Sequence, residues 1–256
     1  LEPLASSSSV LTEEEKEAGV ALIDIGGGTT DIAIFQDGII RHTAVIPFGG
    51  KAISQDISNG CTIMAKHAEK LKCKFGSALS QEMKENELVC IPGLQGRPPK
   101  EISLKNLASI IEARMTEIIE HVHYEIKASG FGEQLIGGIV VTGGGSQLRH
   151  ITQLFQYVTG LDCRVGYPNE HLHEPPSDTN IPSFSTGVGL VIRGYEDARL
   201  TESDKKDPLR KKISYFVHYK FLPGLGFYGL GLVHMLGGLS RTATSALRQL
   251  IDAGTL

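Results

Sequence analysis

Two short apolar strand-like runs each end in three consecutive glycines, and this repeated join is the strongest constraint the sequence places on its fold. The first is Val20-Ala-Leu-Ile-Asp-Ile25 before Gly26-Gly27-Gly28, and the second is Ile139-Val-Val-Thr142 before Gly143-Gly144-Gly145. Runs this apolar and rich in β-branched residues read as buried strands. Glycine then lets the backbone turn sharply and come close to a ligand with no Cβ in the way. After the first turn, Asp31 to Phe35 resumes as a second strand, Asp37-Gly38 signals a hairpin, and Ile39 to Phe48 supplies a third, so an antiparallel meander is predicted. The second turn is predicted to lead into a helix over Ser146 to Val158.

Between the turns, Lys51 to Ile57 and Ile63 to Lys72 read as helices, Leu88 to Ile91 as a short strand, and Pro92 to Pro99 as a loop. The longest helical pattern runs from Ser103 to Ser129, with Leu104, Leu107, Ile110, Ile111, Ile118, Ile119 and Val122 recurring at spacings of three and four. Ser103 is placed to cap its start and Gly130 its end. Thr12 with Glu15 forms a capping box for a short helix, and the Ser6–Ser9 run before it is expected to bury little. Pro168 to Pro182 reads as a loop and Thr186 to Ile192 as the last helix of the compact region, with a boundary near residue 200.

Each turn carries a chemical expectation. In Asp24-Ile-Gly26-Gly27-Gly28-Thr29-Thr30-Asp31, backbone N–H groups and the two threonine hydroxyls suit phosphate oxygens. Asp24, and with it Asp31, sits where a carboxylate holds Mg²⁺ through water, since that ion keeps much of its hydration shell. No Gly-Lys-Ser/Thr follows and no helix opens directly, which excludes a Walker loop and a Rossmann turn. Gly143, Gly144, Gly145 and Ser146 would bring backbone to a flat ligand. A purely structural use of either glycine turn is the competing reading. A formal net charge of −4 gives no basic face for nucleic acid. Cys61, Cys73, Cys90 and Cys163 lack the paired spacing of a zinc site and read as reduced thiols.

Residues 24–31 resemble the second phosphate motif of the actin, Hsp70 and sugar-kinase superfamily, and Gly138 to Ser146 resembles its adenosine motif. Within that superfamily the likeness is to FtsA, over about residues 1–200. It is carried by Leu4-Ala-Ser-Ser7, Val10-Leu-Thr-Glu13, Arg41-His-Thr43 with Val45-Ile-Pro47, Gly96-Arg-Pro-Pro99, and Thr186-Gly-Val-Gly-Leu190 followed by Gly194. The resemblance implies an α/β chain forming half of an actin-like, ribonuclease H-type fold: a mixed sheet with flanking helices and an inserted smaller subdomain. Residues 1–19 would end the preceding domain and connect it; 20–48 and 137–199 would form the nucleotide-binding sheet domain; 49–136 would be the inserted subdomain.

By the same resemblance, ATP with Mg²⁺ would lie in a cleft between two halves. Asp24 would organise the metal, Gly26 to Thr30 would meet the phosphates, and Gly143 to Ser146 would line the adenosine pocket. The implied function is to link FtsZ polymers to the inner membrane at the cytoplasmic face of the division site, to self-associate, and to recruit later division proteins. The inserted subdomain would receive the FtsZ C-terminal tail, with Arg97 and Arg114 as its carboxylate partners; the alternative for both is solvated surface arginine. ATP would act as an assembly ligand, with at most weak hydrolysis. The chain carries no first phosphate motif, so it reads as a C-terminal half that by itself would bind ATP weakly or not at all. An alternative from another class is a small kinase or ATPase of the same superfamily, but nothing identifies a substrate pocket for one.

After Arg199 the character changes. Thr201 to Lys212 reads as a charged linker, and Phe221 to Leu239 is uncharged and interrupted by Pro223 and repeated glycine. Three readings stay open for this tail: a membrane-associating segment, a native soluble extension, or a foreign or artefactual sequence. The stretch from about Lys220, with Phe227-Tyr-Gly-Leu-Gly-Leu-Val-His234, resembles a bacteriophage portal-type protein.

Overall fold

The computed structural model describes residues 2–84, 86–92, 98–168 and 180–206. Arg97, most of the predicted 92–99 and 168–182 loops, and the tail from 207 onward lie outside the described residues. Residues Leu1–Leu200 form one compact unit and Thr201–Leu256 a second.

In the first unit, β1 (Val20–Ile25), β2 (Thr30–Gln36) and β3 (Ile39–Ile46) form the antiparallel meander. Parallel to β1 on its other side lies β6 (Ile139–Thr142), followed by β7 (Cys163–Val165), giving a mixed sheet in the order β3-β2-β1-β6-β7. Asp37 and Gly38 both adopt positive φ, 53° and 69°, as the tight hairpin requires.

Both sheet faces are covered. Ala21, Ile23, Ile25, Ile32, Ile34, Ile139 and Val141 pack under α3 (Gly50–Gly60), α5 (Leu104–Ala128) and α6 (Ile151–Thr159). The alternate residues Val20, Leu22, Ala33, Phe35 and Val140 pack against Val10 and Leu11, beside α1 (Glu2–Val10) and α2 (Glu13–Ala18). Double burial explains why β1 reads as a nearly continuous apolar run. The hairpin of β4 (Leu88–Ile91) and β5 (Lys100–Ser103), with α4 (Ala65–Phe75), lies outside the main sheet, yet Ile91, Ile102, Ala68 and Leu71 join the core under α5.

Helix ends follow the local chemistry in part. The capping box forms: Thr12 Oγ1 accepts from Glu15 N–H at 3.2 Å, and the Glu15 carboxylate accepts from Thr12 N–H at 3.0 Å. The same carboxylate takes a fork from Arg164 on β7, at 2.7 Å for each bond. Burial works to raise the Glu15 carboxyl, but the Arg164 and Thr12 hydrogen bonds outweigh it and hold it below its usual range. Gly130 ends α5 with a φ of 78°, whereas Ser103 occupies the cap position without a side-chain hydrogen bond.

Three expectations are corrected. The Ser6–Ser9 run lies within α1, and Ser6, Ser7 and Ser9 are buried, because α1 packs on β1 and β2 and also comes close to α7 (Ser185–Lys206), where Gly189 meets the Ala5 carbonyl. Ser9 Oγ donates to the Ser185 carbonyl at 2.7 Å. The helix predicted from Ser146 starts only at Ile151: residues Gly144–Gln147 form a 3-10 turn, and His150 takes a left-handed φ of 61°. Arg149 causes the break, since its carbonyl accepts from Ala78 N–H at 2.8 Å and draws this stretch onto the segment after α4. Finally, α7 runs through Lys206, so helix continues into the first part of the segment read as linker.

Candidate functional site: the cleft between the glycine turns

Both glycine turns sit at the same end of the sheet, because β1 and β6 are parallel neighbours in register, Asp24 beside Thr142. They meet across a cleft of about 310 Å³ lined by Gly26, Gly27, Gly144 and Gly145, with Glu69 and Lys72 of α4 on its far wall.

The first turn is braced from behind. Gly26 N–H donates to the Thr29 carbonyl at 2.9 Å, closing the loop on itself. The first amides of α3 hold it in place: Gly50 N–H donates to the Gly26 carbonyl at 2.9 Å and Lys51 N–H to the Gly27 carbonyl at 2.8 Å. Gly49 has to be glycine, since a Cβ there would stand 2.6 Å from the Gly26 carbonyl oxygen. Gly28 is the opposite case. It is exposed, and a Cβ would meet nothing within 4 Å, so no protein atom demands glycine there. The space a side chain would fill is open to a ligand. Thr29 is exposed, with its hydroxyl donating to Asp31 at 3.2 Å. Thr30 is buried and its hydroxyl donates to the Phe48 carbonyl at 2.9 Å, so in this structure it ties the turn to the segment between β3 and α3.

The second turn is packed directly on the first strand. Gly143 has φ 81° and ψ 176°, a region open essentially to glycine alone. A Cβ there would overlap Asp24 Oδ1, and one at Gly145 would overlap the Ile25 side chain. Ser146 is buried, its hydroxyl donating to the Gly143 carbonyl at 2.8 Å. At the rim, Gln147 Nε2 donates to Ser183 Oγ at 2.6 Å.

Asp24 and Asp31 are direct cross-strand partners at the end of β1 and β2. Burial pushes the Asp24 carboxyl up, with the charges of Asp31 and Glu2 adding to it, while hydrogen bonds from Ser6 and Thr186 work the other way. Two carboxylates facing each other in partial burial carry repulsion that a divalent cation would relieve, and oxygen donors of this kind suit Mg²⁺. Among the described residues, no group of three or more His, Cys, Asp or Glu gathers at metal-binding distance. A divalent cation held by two such carboxylates alone would keep most of its own water.

On the cleft's far wall, Lys72 Nζ donates to the Gly50 carbonyl at 2.7 Å, Ser54 Oγ at 2.9 Å and Glu69 at 2.8 Å. Partial burial works to raise the Glu69 carboxyl, but Lys72 and Ser54 prevail and hold it low. Sequence reasoning missed Glu69, Lys72 and Ser183, because an i, i+3 charge pair on a lysine-rich helix and one serine in a loop look like ordinary surface. It missed Ser6 and Thr186 as well.

Arg114, on α5, is far from this cleft in sequence and serves a separate cluster. Its guanidinium donates to both oxygens of Asp56, at 2.5 and 3.1 Å, and to Glu117 at 2.5 Å. These carboxylates raise its pKa further.

The family model for cell division protein FtsA matches residues 21–189. Cell division protein FtsA of Pseudomonas aeruginosa is 41% identical over 199 residues, covering 77% of this chain and 47% of that protein. The Escherichia coli K12 protein of the same name is 38% identical over 200 residues, covering 75% and 47%. The chain thus spans about half the length of the curated relatives it matches. Among solved structures, MreB5 of Spiroplasma citri bound to ADP superposes with a TM-score of 0.62 at 23% identity, over 78% of this chain and 60% of that one. The MamK double helical filament gives 0.54 at 16% identity, over 78% and 58%. These likenesses define the fold as actin-like. Together with the order of the glycine turns on one sheet, the match over residues 21–189 places this chain in the FtsA family of cell division proteins.

Proposed function

We propose that the chain supplies one wall of an ATP–Mg²⁺ cleft in an FtsA-type protein that links FtsZ polymers to the inner membrane, self-associates, and recruits later division proteins. The observation that carries the nucleotide reading is the convergence of the two glycine turns on one cleft, through Gly26 and Gly27 of the first and Gly144 and Gly145 of the second, with Gly28 free of any internal reason to be glycine. MreB5, whose fold this chain shares, is described in complexes with ADP and with AMPPNP. Asp24 and Asp31 would hold hydrated Mg²⁺, Gly26 to Thr29 would meet the phosphates, Thr30 would brace that loop, and the second turn would face the adenosine. The metal would supply charge neutralisation at the phosphates. ATP acts here as a conformational ligand, and hydrolysis is at most weak.

Residues 49–136 would form the subdomain that receives the acidic, hydrophobic FtsZ tail. Arg114 is already paired with Asp56 and Glu117, so a tail carboxylate would bind by exchanging with one of them. Among the described residues no helix is long and apolar enough to cross a membrane. Attachment to the inner membrane would be indirect or through the tail. A labelled FtsZ tail peptide is expected to bind at micromolar affinity and to lose about tenfold with Arg114→Ala, one charge-assisted contact being worth roughly 1.5–3 kcal/mol. Fluorescence anisotropy measures this. Absence of peptide binding together with rapid phosphate transfer to a small metabolite would replace the reading with a kinase.

A further inference from the structure

Asp24 has an unequal pair of oxygens. Its Oδ2 accepts from Ser6 Oγ at 2.8 Å and from Thr186 Oγ1 at 3.2 Å, and those two hydroxyls lie 2.9 Å from each other. Its Oδ1 lies against the Gly143 backbone, close enough that any Cβ on residue 143 would overlap it. One oxygen is thus saturated by hydroxyls from two helices, while the other faces the second glycine turn.

The two hydroxyls come from opposite ends of the described chain. Ser6 belongs to α1 and Thr186 to the first turn of α7. The neighbouring residue Ser185 makes the parallel contact one strand over: its hydroxyl lies 2.6 Å from the hydroxyl of Thr142, the register partner of Asp24 on β6. Consecutive residues of α7 therefore grip consecutive strands at the level where both glycine turns begin. Ser9 to the Ser185 carbonyl and Arg193 to Ser8, 2.9 Å, fasten the two helices to each other.

The geometry points to Ser6 and Thr186 as positioning residues for the metal: they lock the Asp24 carboxylate so that Oδ1 alone is presented to the hydration shell of nucleotide-bound Mg²⁺. This rests on the nucleotide reading above. A carboxylate free to rotate would offer either oxygen at either place, and ordering it on binding would cost affinity; outer partners of metal-binding groups are typically worth 10- to 100-fold. A ligand that draws on Asp24 also pulls on α1 and α7 at once, since both helices are bonded to its Oδ2.

The test measures ATP dissociation constants by NMR titration of the full chain, once with Mg²⁺ and once with EDTA, for wild type, Ser6→Ala, Thr186→Val, the double variant and Thr186→Ser. The double variant is expected to lose about tenfold of the Mg²⁺-dependent gain in affinity while its affinity in EDTA stays at the wild-type value. Thr186→Ser, which keeps the hydroxyl, is expected to retain the gain. Two results would overturn the assignment: an unchanged Mg²⁺ gain in the double variant, or an equal loss with Mg²⁺ and with EDTA, which marks a merely structural role. A wild-type chain whose ATP affinity ignores Mg²⁺ would instead sink the nucleotide reading on which the assignment stands.

Discussion

Gly189→Ala is expected to destabilise the first unit by about 3 kcal/mol, seen as a lower urea midpoint at unchanged slope. The added Cβ would overlap the carbonyl of Ala5, a backbone atom that cannot swing aside, so α1 and α7 would have to part. Their separation also breaks the Ser9–Ser185 bond and the hydroxyl clamp on Asp24. Gly194→Ala on the same helix is the matched control. Nothing lies within 4 Å of its Cβ position, and alanine there should stabilise by roughly 0.5–1 kcal/mol through helix propensity alone. Equal stability of the two variants would mean that α1 does not pack on α7 as described.

Gly143→Ala carries the other large effect, about 4 kcal/mol. Its φ of 81° with ψ of 176° costs a side-chain-bearing residue roughly 1–3 kcal/mol, and overlap with Asp24 and the Ile25 backbone adds a similar amount. Thermal unfolding should show a broad loss of stability, not one confined to ligand binding. Gly143→Ala with a wild-type melting temperature would contradict the close approach of the second turn to β1.

The glycines of the two turns therefore fall into two kinds that look identical in the sequence. Gly143 and Gly145 are demanded by neighbouring protein atoms, whereas Gly28 is demanded by none. Both triplets were legible as turns after buried strands, since β-branched runs and glycine act through local chemistry. Their convergence was legible only through resemblance, because it depends on β1 and β6 being parallel neighbours, a contact that spans the whole intervening region. The capping box at Thr12 and Glu15 was readable for the same local reason, and the Arg164 fork onto it was not.

The misread serines show where local reasoning stops. A run of polar, small residues suggests exposure when judged alone, yet small size is what lets α1 approach Gly189. Once α1 is that close, the Ser6 hydroxyl reaches Asp24 and that of Ser9 the start of α7, while Ser7 and Ser8 donate back to the Leu4 carbonyl within the helix. The late start of α6 has a similar cause, a backbone pairing of Arg149 with the stretch after α4 that no nearby residue announces.

The measurement that bears most directly on the central claim is a titration of the isotope-labelled chain with Mg-ATP, read amide by amide by NMR. The account predicts weak binding in which Gly26–Thr29 and Gly143–Ser146 shift together, and in which Gly28→Val removes both sets of shifts without lowering the melting temperature. Shifts that spare either turn, or an unaltered response in Gly28→Val, would contradict a nucleotide cleft built from the two glycine turns.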